Sequence, residues 1–276
     1  MSLYVGPLRG VVFGWIIAFL LGGGSLIWLL WRARLSPSQT FLALGAFVTS
    51  ILVGSKLLYL LEAWPHWYTI SPEPLAAVLS LKMRVPGGFL LAGVVGAPLA
   101  YWLGVRYLWL LDTAVPAAGL AIVGIRIGCF LEGCCYGFPS TLPWAVTFPA
   151  NSPPYEWQRD HGLISASDMA AAPTHPLQLY FAAVGFLIFV GLLAYQKRKR
   201  YEGEVLLLFF LVYLWSSWLL ELLRASPHDF TRHVALGASL VATVVAVLIE
   251  WRLNAARRLP GTTPAAAHLG REPHRS

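Results

Sequence analysis

Arg126 lies in an apolar run that starts near Tyr107 and closes on Gly124-Ile125-Arg126-Ile127-Gly128-Cys129-Phe130-Leu131-Glu132-Gly133-Cys134-Cys135-Tyr136-Gly137. A charge at membrane depth is costly, so it faces a bundle interior and marks a functional position by default. A guanidinium offers planar paired donors and keeps its proton, which suits a phosphodiester. Glycines at 124, 128, 133 and 137 let a neighbouring helix or a ligand approach the backbone. Glu221 and Arg224 stand one helical turn apart and share a face, with Tyr213 eight residues before Glu221 near it. Lys56 brings an intramembrane charge from a third span. The competing reading is an ion pair between Arg126 and Glu221 that only holds two helices together. Charges converging from three helices on a glycine-rich segment favour a phosphate site instead.

Spans of about 20 apolar residues must position these groups. Seven stretches qualify: Val11–Trp31, Thr40–Leu61, Val85–Val105, Tyr107–Leu131, Pro176–Tyr195, Val205–Leu223 and His233–Ile249. Of 276 residues, 57% are hydrophobic and 12% charged, against about 25% charged in soluble domains. The chain therefore reads as an all-α integral membrane protein, a bundle of about seven transmembrane helices with an external loop or lid region. Residues 1–258 form a single transmembrane domain with external loops at about 62–84 and 138–174, and 259–276 read as a disordered cytoplasmic tail. The net charge of +7 sits in short clusters beside the spans, which is topology and not nucleic-acid binding. Arg32 and Arg34, Arg106, Lys197 to Arg200, and Arg252, Arg257 and Arg258 all fall on one side of a seven-span bundle. The positive-inside rule makes that side cytoplasmic, so the N-terminus is outside and the C-terminus inside. The second, fourth and sixth spans then run outward. Lys56, Arg126 and the Glu221–Arg224 pair come to similar depth, with Arg126 roughly 8 Å below the end of its helix. Asp112 lies at the opposite end, where Arg106 or the helix N-terminus could satisfy it.

Further motifs sit around this centre. Thr174-His175-Pro176-Leu177-Gln178-Leu179-Tyr180 opens the fifth span. His175 there reads equally as a helix cap or as active-site support. Cys129, Cys134 and Cys135 lie too close together for a spread disulfide framework, and without a partnering His pair they do not read as a metal site. Glu132 is an alternative base or an interfacial charge, and Lys56 a snorkelling lysine or a headgroup contact.

In order and spacing these motifs resemble those of the prolipoprotein diacylglyceryl transferase family. The matching segments are Gly54-Ser55-Lys56-Leu57-Leu58-Tyr59, Gly87-Gly88 with Ala92-Gly93-Val94-Val95-Gly96, and Asp112 with Pro116. Arg126-x-Gly128-x-Phe130 closed by Gly137, His175-Pro176-x-Gln178-Leu179-Tyr180, and Tyr213 followed by Glu221-x-x-Arg224 continue the series. The resemblance implies transfer of diacylglyceryl from phosphatidylglycerol to the lipobox cysteine of a prolipoprotein signal peptide, in the bacterial cytoplasmic membrane and without a cofactor. It implies substrate contacts at Arg126, Gly128, Gly137, Gln178, Tyr180, Tyr213, Arg224 and Lys56, and proton handling at Glu221 or His175. The chain departs from the family pattern at Leu91, where a histidine is usual, and at Cys129, Cys134 and Ser217. Loss of that histidine and of a second arginine at 217 keeps open a non-catalytic relative that binds anionic lipid or lipoprotein precursors. A small-solute transporter is disfavoured because the charges gather at one leaflet.

Overall fold

A computed structural model describes residues 7–63, 83–225 and 229–258. Among these the chain is helical, with four isolated bridge pairs and no longer strand. Helix α1 (Pro7–Ala18) passes through a π-turn (Phe19–Gly23) into α2 (Gly24–Arg32). Then come α3 (Pro37–Ala63), α4 (Val85–Leu103), α5 (Tyr107–Glu132), the short α6 (Pro153–Asp160), α7 (Leu177–Tyr195), α8 (Glu204–Glu221) and α9 (Asp229–Arg258). Among the described residues six helical stretches are long and apolar enough to cross a membrane: Gly10–Arg32, Pro37–Glu62, Val85–Leu103, Tyr107–Glu132, Leu177–Arg198 and Glu204–Glu221. They coincide with the first six expected spans, and α9 covers the seventh stretch. Their outward faces carry side chains such as Leu20, Trp28, Phe41, Leu61, Val94, Phe186 and Leu187, so these helices are apolar all round, as lipid requires. Most of the expected 62–84 loop, and the 259–276 tail, lie outside the described residues.

Helix α5 is the centre of the bundle and packs against α1, α2, α4, α7 and α8. Its approach to α1 has no room for side chains. A Cβ on Gly124 would stand 2.2 Å from the Ala18 nitrogen, and one on Gly128 would stand 2.4 Å from the Gly14 Cα. Bare backbones therefore meet there, the small-residue contact that lets helices associate where lipid offers no hydrophobic drive. What approaches Gly128 is thus the first helix. Gly54 on α3 and Gly87 on α4 make the same kind of contact. One core layer joins Leu30, Leu99 and Leu110; a second joins Val115, Ile122, Ile188, Val205 and Phe209 around α5, α7 and α8.

The segment from 138 to 174 is packed. It has its own small core of Phe148, Tyr155 and Ala171, with Phe130 against it from α5. Gln158 is fully buried, donates to the Ala172 carbonyl at 3.0 Å and accepts from the Ala172 amide at 2.7 Å. A single buried side chain thus satisfies both backbone groups of the half-buried loop residue Ala172.

At the opposite end of the bundle, Asp112 is anchored differently from the expectation. Arg106 pairs with Glu202 at 2.5 Å. Asp112, 1% exposed, instead accepts from Lys199 Nζ at 3.0 Å and from the amides of Gly203 at 2.9 Å and Leu206 at 3.0 Å. It caps the N-terminus of α8, not its own helix, because that is where free N–H groups and positive dipole lie within reach. The basic cluster at 199 and the start of α8 are thereby tied to α5.

Candidate functional site

Helix α5 ends in a tight turn. Gly133 adopts φ 77°, its N–H bonds to the Phe130 carbonyl at 3.2 Å, and the Cys134 N–H bonds to the Cys129 carbonyl at 3.1 Å. This pair of bonds is a Schellman ending, which needs the left-handed residue that glycine supplies. Cys135 then also takes a left-handed conformation, φ 59°, which costs a non-glycine residue about 1–3 kcal/mol. The double turn sends the chain back across the ends of two other helices. Phe138 N–H bonds to the Leu223 carbonyl at 2.9 Å and Ala225 N–H to Tyr136 at 3.3 Å. On the other side Gly137 N–H bonds to the His175 carbonyl, and His175 N–H to Phe138, both at 3.1 Å. Gly137 is wedged between these partners: a Cβ there would lie 2.7 Å from the His175 Cβ and 2.9 Å from the Leu223 carbonyl oxygen. The ends of α5 and α8 and the start of α7 are therefore one hydrogen-bonded unit.

Arg126 lies on α5 about two turns before that end. Its guanidinium lies 3.9 Å from the ring centroid of Phe181, which is 2% exposed, and within hydrogen-bonding reach of Tyr213. Among the described residues no carboxylate pairs with it. Glu221 is engaged elsewhere, accepting from Arg224 Nη1 at 2.7 Å, so the competing reading of an Arg126–Glu221 ion pair gives way to a pair at the C-terminal end of α8. Arg224 Nη2 also reaches the Cys135 sulfur at 3.2 Å. Among the described residues, the buried donors Arg224 Nε and Ser217 Oγ have no partner, nor does the acceptor Gln178 Oε1. Leaving such groups unsatisfied costs about 1–3 kcal/mol each.

Of the residues expected from sequence, Arg224 and Arg126 flank Cys135, Glu221 pairs with Arg224 and Tyr213 with Arg126, and Gly137 bonds to the start of α7 beside the end of α8. Gln178, fully buried, donates to the Cys134 carbonyl at 2.6 Å and so fixes the same turn. His175 does not cap α7, whose N-cap is Pro176 without a side-chain hydrogen bond. Its Nδ1 lies 3.2 Å from the Tyr180 hydroxyl, which accepts from Trp144 Nε1 at 2.7 Å. That short chain links the 138–174 segment to α7 beside the site. Lys56 lies along α3, its ammonium 5.2 Å from the Tyr59 ring centroid. Leu91 lines an apolar groove of about 410 Å³ between α3 and α4. Phe181 escaped the sequence reading, because one aromatic among many in a membrane protein carries no spacing that distinguishes it.

The cysteines complete the geometry. Their three sulfurs lie within 4.8 Å of one another. Hydrogen bonds from Cys129 and Cys134 hold the Cys135 thiol well below the ordinary thiol range, with Arg224 and Arg126 adding to the effect and burial opposing it. Cys134 is pushed up by its hydrogen bonds to Cys129 and Cys135, and by burial. Burial raises the neighbouring Tyr136 phenol to about 12.

Comparison with known proteins follows the same lines. The family model described as prolipoprotein diacylglyceryl transferase matches residues 4–252. A phosphatidylglycerol–prolipoprotein diacylglyceryl transferase of Pseudomonas putida is 30% identical over 96% of this chain and 97% of its own length. The protein of that name from Cupriavidus metallidurans is 28% identical over 96% of each chain, and one from Clostridium tetani 31% identical over 64% of each.

Proposed function

We infer that this chain, which belongs to the prolipoprotein diacylglyceryl transferase family, transfers a diacylglyceryl group from phosphatidylglycerol to the lipobox cysteine of a prolipoprotein. The products dictate which bonds change. The acceptor sulfur attacks the glyceryl carbon, the C–O bond to phosphate breaks, a thioether forms, and glycerol phosphate leaves with the electron pair. The thiol proton passes to a base or to the departing phosphate.

The observation that carries the site assignment is Arg126, half-buried in the bundle beside Tyr213 and Phe181 and free of any carboxylate among the described residues. A structural arginine at this depth would be paired. An unpaired planar donor set is what a headgroup phosphate would satisfy, and Arg224 Nε and Ser217 Oγ are further donors on the same side. Charge develops on the phosphate oxygens as the C–O bond breaks, so fixed cations aimed there stabilise the transition state more than the bound lipid. Glu221 holds Arg224 in place and limits how much charge is buried unpaired. Gly128 and Gly137 serve the site by close packing. Gln178 and Tyr180 hold its walls, and Lys56 supplies a headgroup contact. His175, linked through Tyr180 to Trp144, stands beside the packed 138–174 segment, which serves as a lid.

The orientation that suits this chemistry has seven spans, the N-terminus outside and the site in the outer leaflet of the bacterial cytoplasmic membrane. Two contacts support α9 as the seventh span. Trp215 on α8 donates to Thr243 at 3.0 Å, and Glu250 pairs with Arg200 at 2.5 Å, beside the basic cluster. Helix α9 thus runs antiparallel to α8 and brings its C-terminal end to the basic side. Residues 1–258 then act as one transmembrane domain, with 259–276 as a cytoplasmic tail.

The test is transfer of labelled diacylglyceryl to a lipobox peptide in vesicles containing phosphatidylglycerol. The parent should turn over. Arg126→Lys should lose about 10²–10³-fold, because the ammonium keeps the charge but not the planar fork. Equal activity of parent and Arg126→Lys would remove Arg126 from the phosphate site, and binding of lipid without turnover by the parent would make the protein a binding relative.

A further inference from the structure

We propose that Cys129, Cys134 and Cys135 form a binding site for one thiophilic d10 cation, Cu(I) or Zn(II), held by three sulfurs at the end of α5. The spacing in sequence, two adjacent cysteines and a third five residues earlier with no histidine pair, does not resemble a metal motif. The fold supplies what the spacing lacks. The turn at Gly133 and the left-handed Cys135 fold the chain back onto the last helical turn, so the three sulfurs lie within 4.8 Å of one another. Three sulfurs at the usual metal–sulfur distance of about 2.3 Å around one ion stand roughly 4 Å apart. Closing the site therefore needs side-chain shifts of well under 1 Å.

Three further observations favour a cation over simple packing. First, the cluster is held from outside: the Cys134 amide bonds to the Cys129 carbonyl at 3.1 Å, and Gln178 Nε2 donates to the Cys134 carbonyl at 2.6 Å. Such supporting contacts fix ligands before the ion arrives. Second, the charge is balanced. Three thiolates around Cu(I) or Zn(II) leave a net negative centre, and Arg224 Nη2 already lies 3.2 Å from the Cys135 sulfur, with Arg126 on the same side. Third, thiolate donors select soft ions. Cu(I) is satisfied by three sulfurs. Zn(II) takes a fourth ligand, and the Glu132 carboxylate, in hydrogen-bonding reach of Cys134, can supply it. The thiols coordinate as thiolates and release their protons to solvent. The competing fate, a disulfide, would use two sulfurs and strand the third.

The inference is independent of the transferase reading, since its readouts are metal content and sulfur coordination. The full-length protein is purified in detergent, reduced and kept anaerobic. It is then titrated separately with Cu(I) against a chromophoric Cu(I) chelator and with Zn(II) against a zinc chelator. The expected result is one equivalent of one of the two ions retained against its chelator, with three sulfurs in the metal-edge X-ray absorption spectrum. A fourth, oxygen ligand is expected if the ion is zinc. Cys129→Ser, Cys134→Ser and Cys135→Ser should each weaken retention by at least about tenfold. Less than one equivalent of both ions in the parent would overturn the proposal, as would fewer than three sulfurs, or one titratable thiol per chain without reductant because the other two are bonded. The parent measurements decide even where a variant fails to fold.

Discussion

Gly128→Ala is the smallest change that tests whether helix packing positions the arginine. The added methyl would stand 2.4 Å from the Gly14 Cα and 2.9 Å from the Gly10 carbonyl oxygen, both backbone atoms of α1. Ordinary carbon contacts begin near 3.5 Å, so α1 and α5 must part by about 1 Å. Overpacking of this kind costs about 1–3 kcal/mol. At roughly 2–4 °C per kcal/mol for a chain of this size, Tm should fall by roughly 2–12 °C. Arg126 is two residues away on the same helix, and a shift of about 1 Å in a positioning group costs up to about 10²-fold in rate. Gly191→Ala is the control, because a Cβ there meets nothing within 4 Å and helical alanine is favoured by about 0.5–1 kcal/mol. Both variants are measured by thermal unfolding in detergent and by lipid transfer to a lipobox peptide. If Gly128→Ala matched Gly191→Ala in both, the contact between α1 and α5 would not set the position of Arg126.

Three other outcomes are expected. Asp112→Ala leaves Lys199 and two amides of α8 without their acceptor, and should destabilise the protein by about 3–5 kcal/mol, read as a lower Tm; an unchanged Tm would refute the anchor. Reporter fusions after Lys199 and after Phe148 should report cytoplasmic and external compartments respectively, and one compartment for both would refute the seven-span orientation. His175→Ala should lower turnover more than phosphatidylglycerol retention, while Glu221→Gln, which loosens Arg224, should lower both; full activity of His175→Ala would remove His175 from proton transfer.

Much of the fold was legible because hydrocarbon imposes a length and an apolar character on every span, and both can be read along a chain. The first six spans fall where hydropathy puts them. Two features did not show. The π-turn at Phe19–Gly23 interrupts no apolar run, so nothing in the pattern marks it. The partner of Asp112 lies 87 residues away at Lys199, and local reasoning offered the neighbouring Arg106 instead. Arg106 was the nearer cation, but Glu202 takes it at the surface, where a flexible pair costs little, while the buried carboxylate needs the several donors that the start of α8 provides.

The site divides along the same line. Arg126, Tyr213, Glu221 and Arg224 were legible because an intramembrane charge needs a reason, and helical spacing puts the last two on one face. Their pairing was not legible, since Glu221 had two arginines to choose from. The choice follows from the turn at Gly133 and Cys135. That turn makes residues 136–138 bond with 223–225, which carries Arg224 over Cys135 and leaves it 2.7 Å from Glu221. With Glu221 so occupied, Arg126 has no carboxylate partner among the described residues and lies against Tyr213 and Phe181. The turn that carries Cys134 and Cys135, which reads as an unexplained departure in sequence, is therefore part of what decides which arginine Glu221 pairs with.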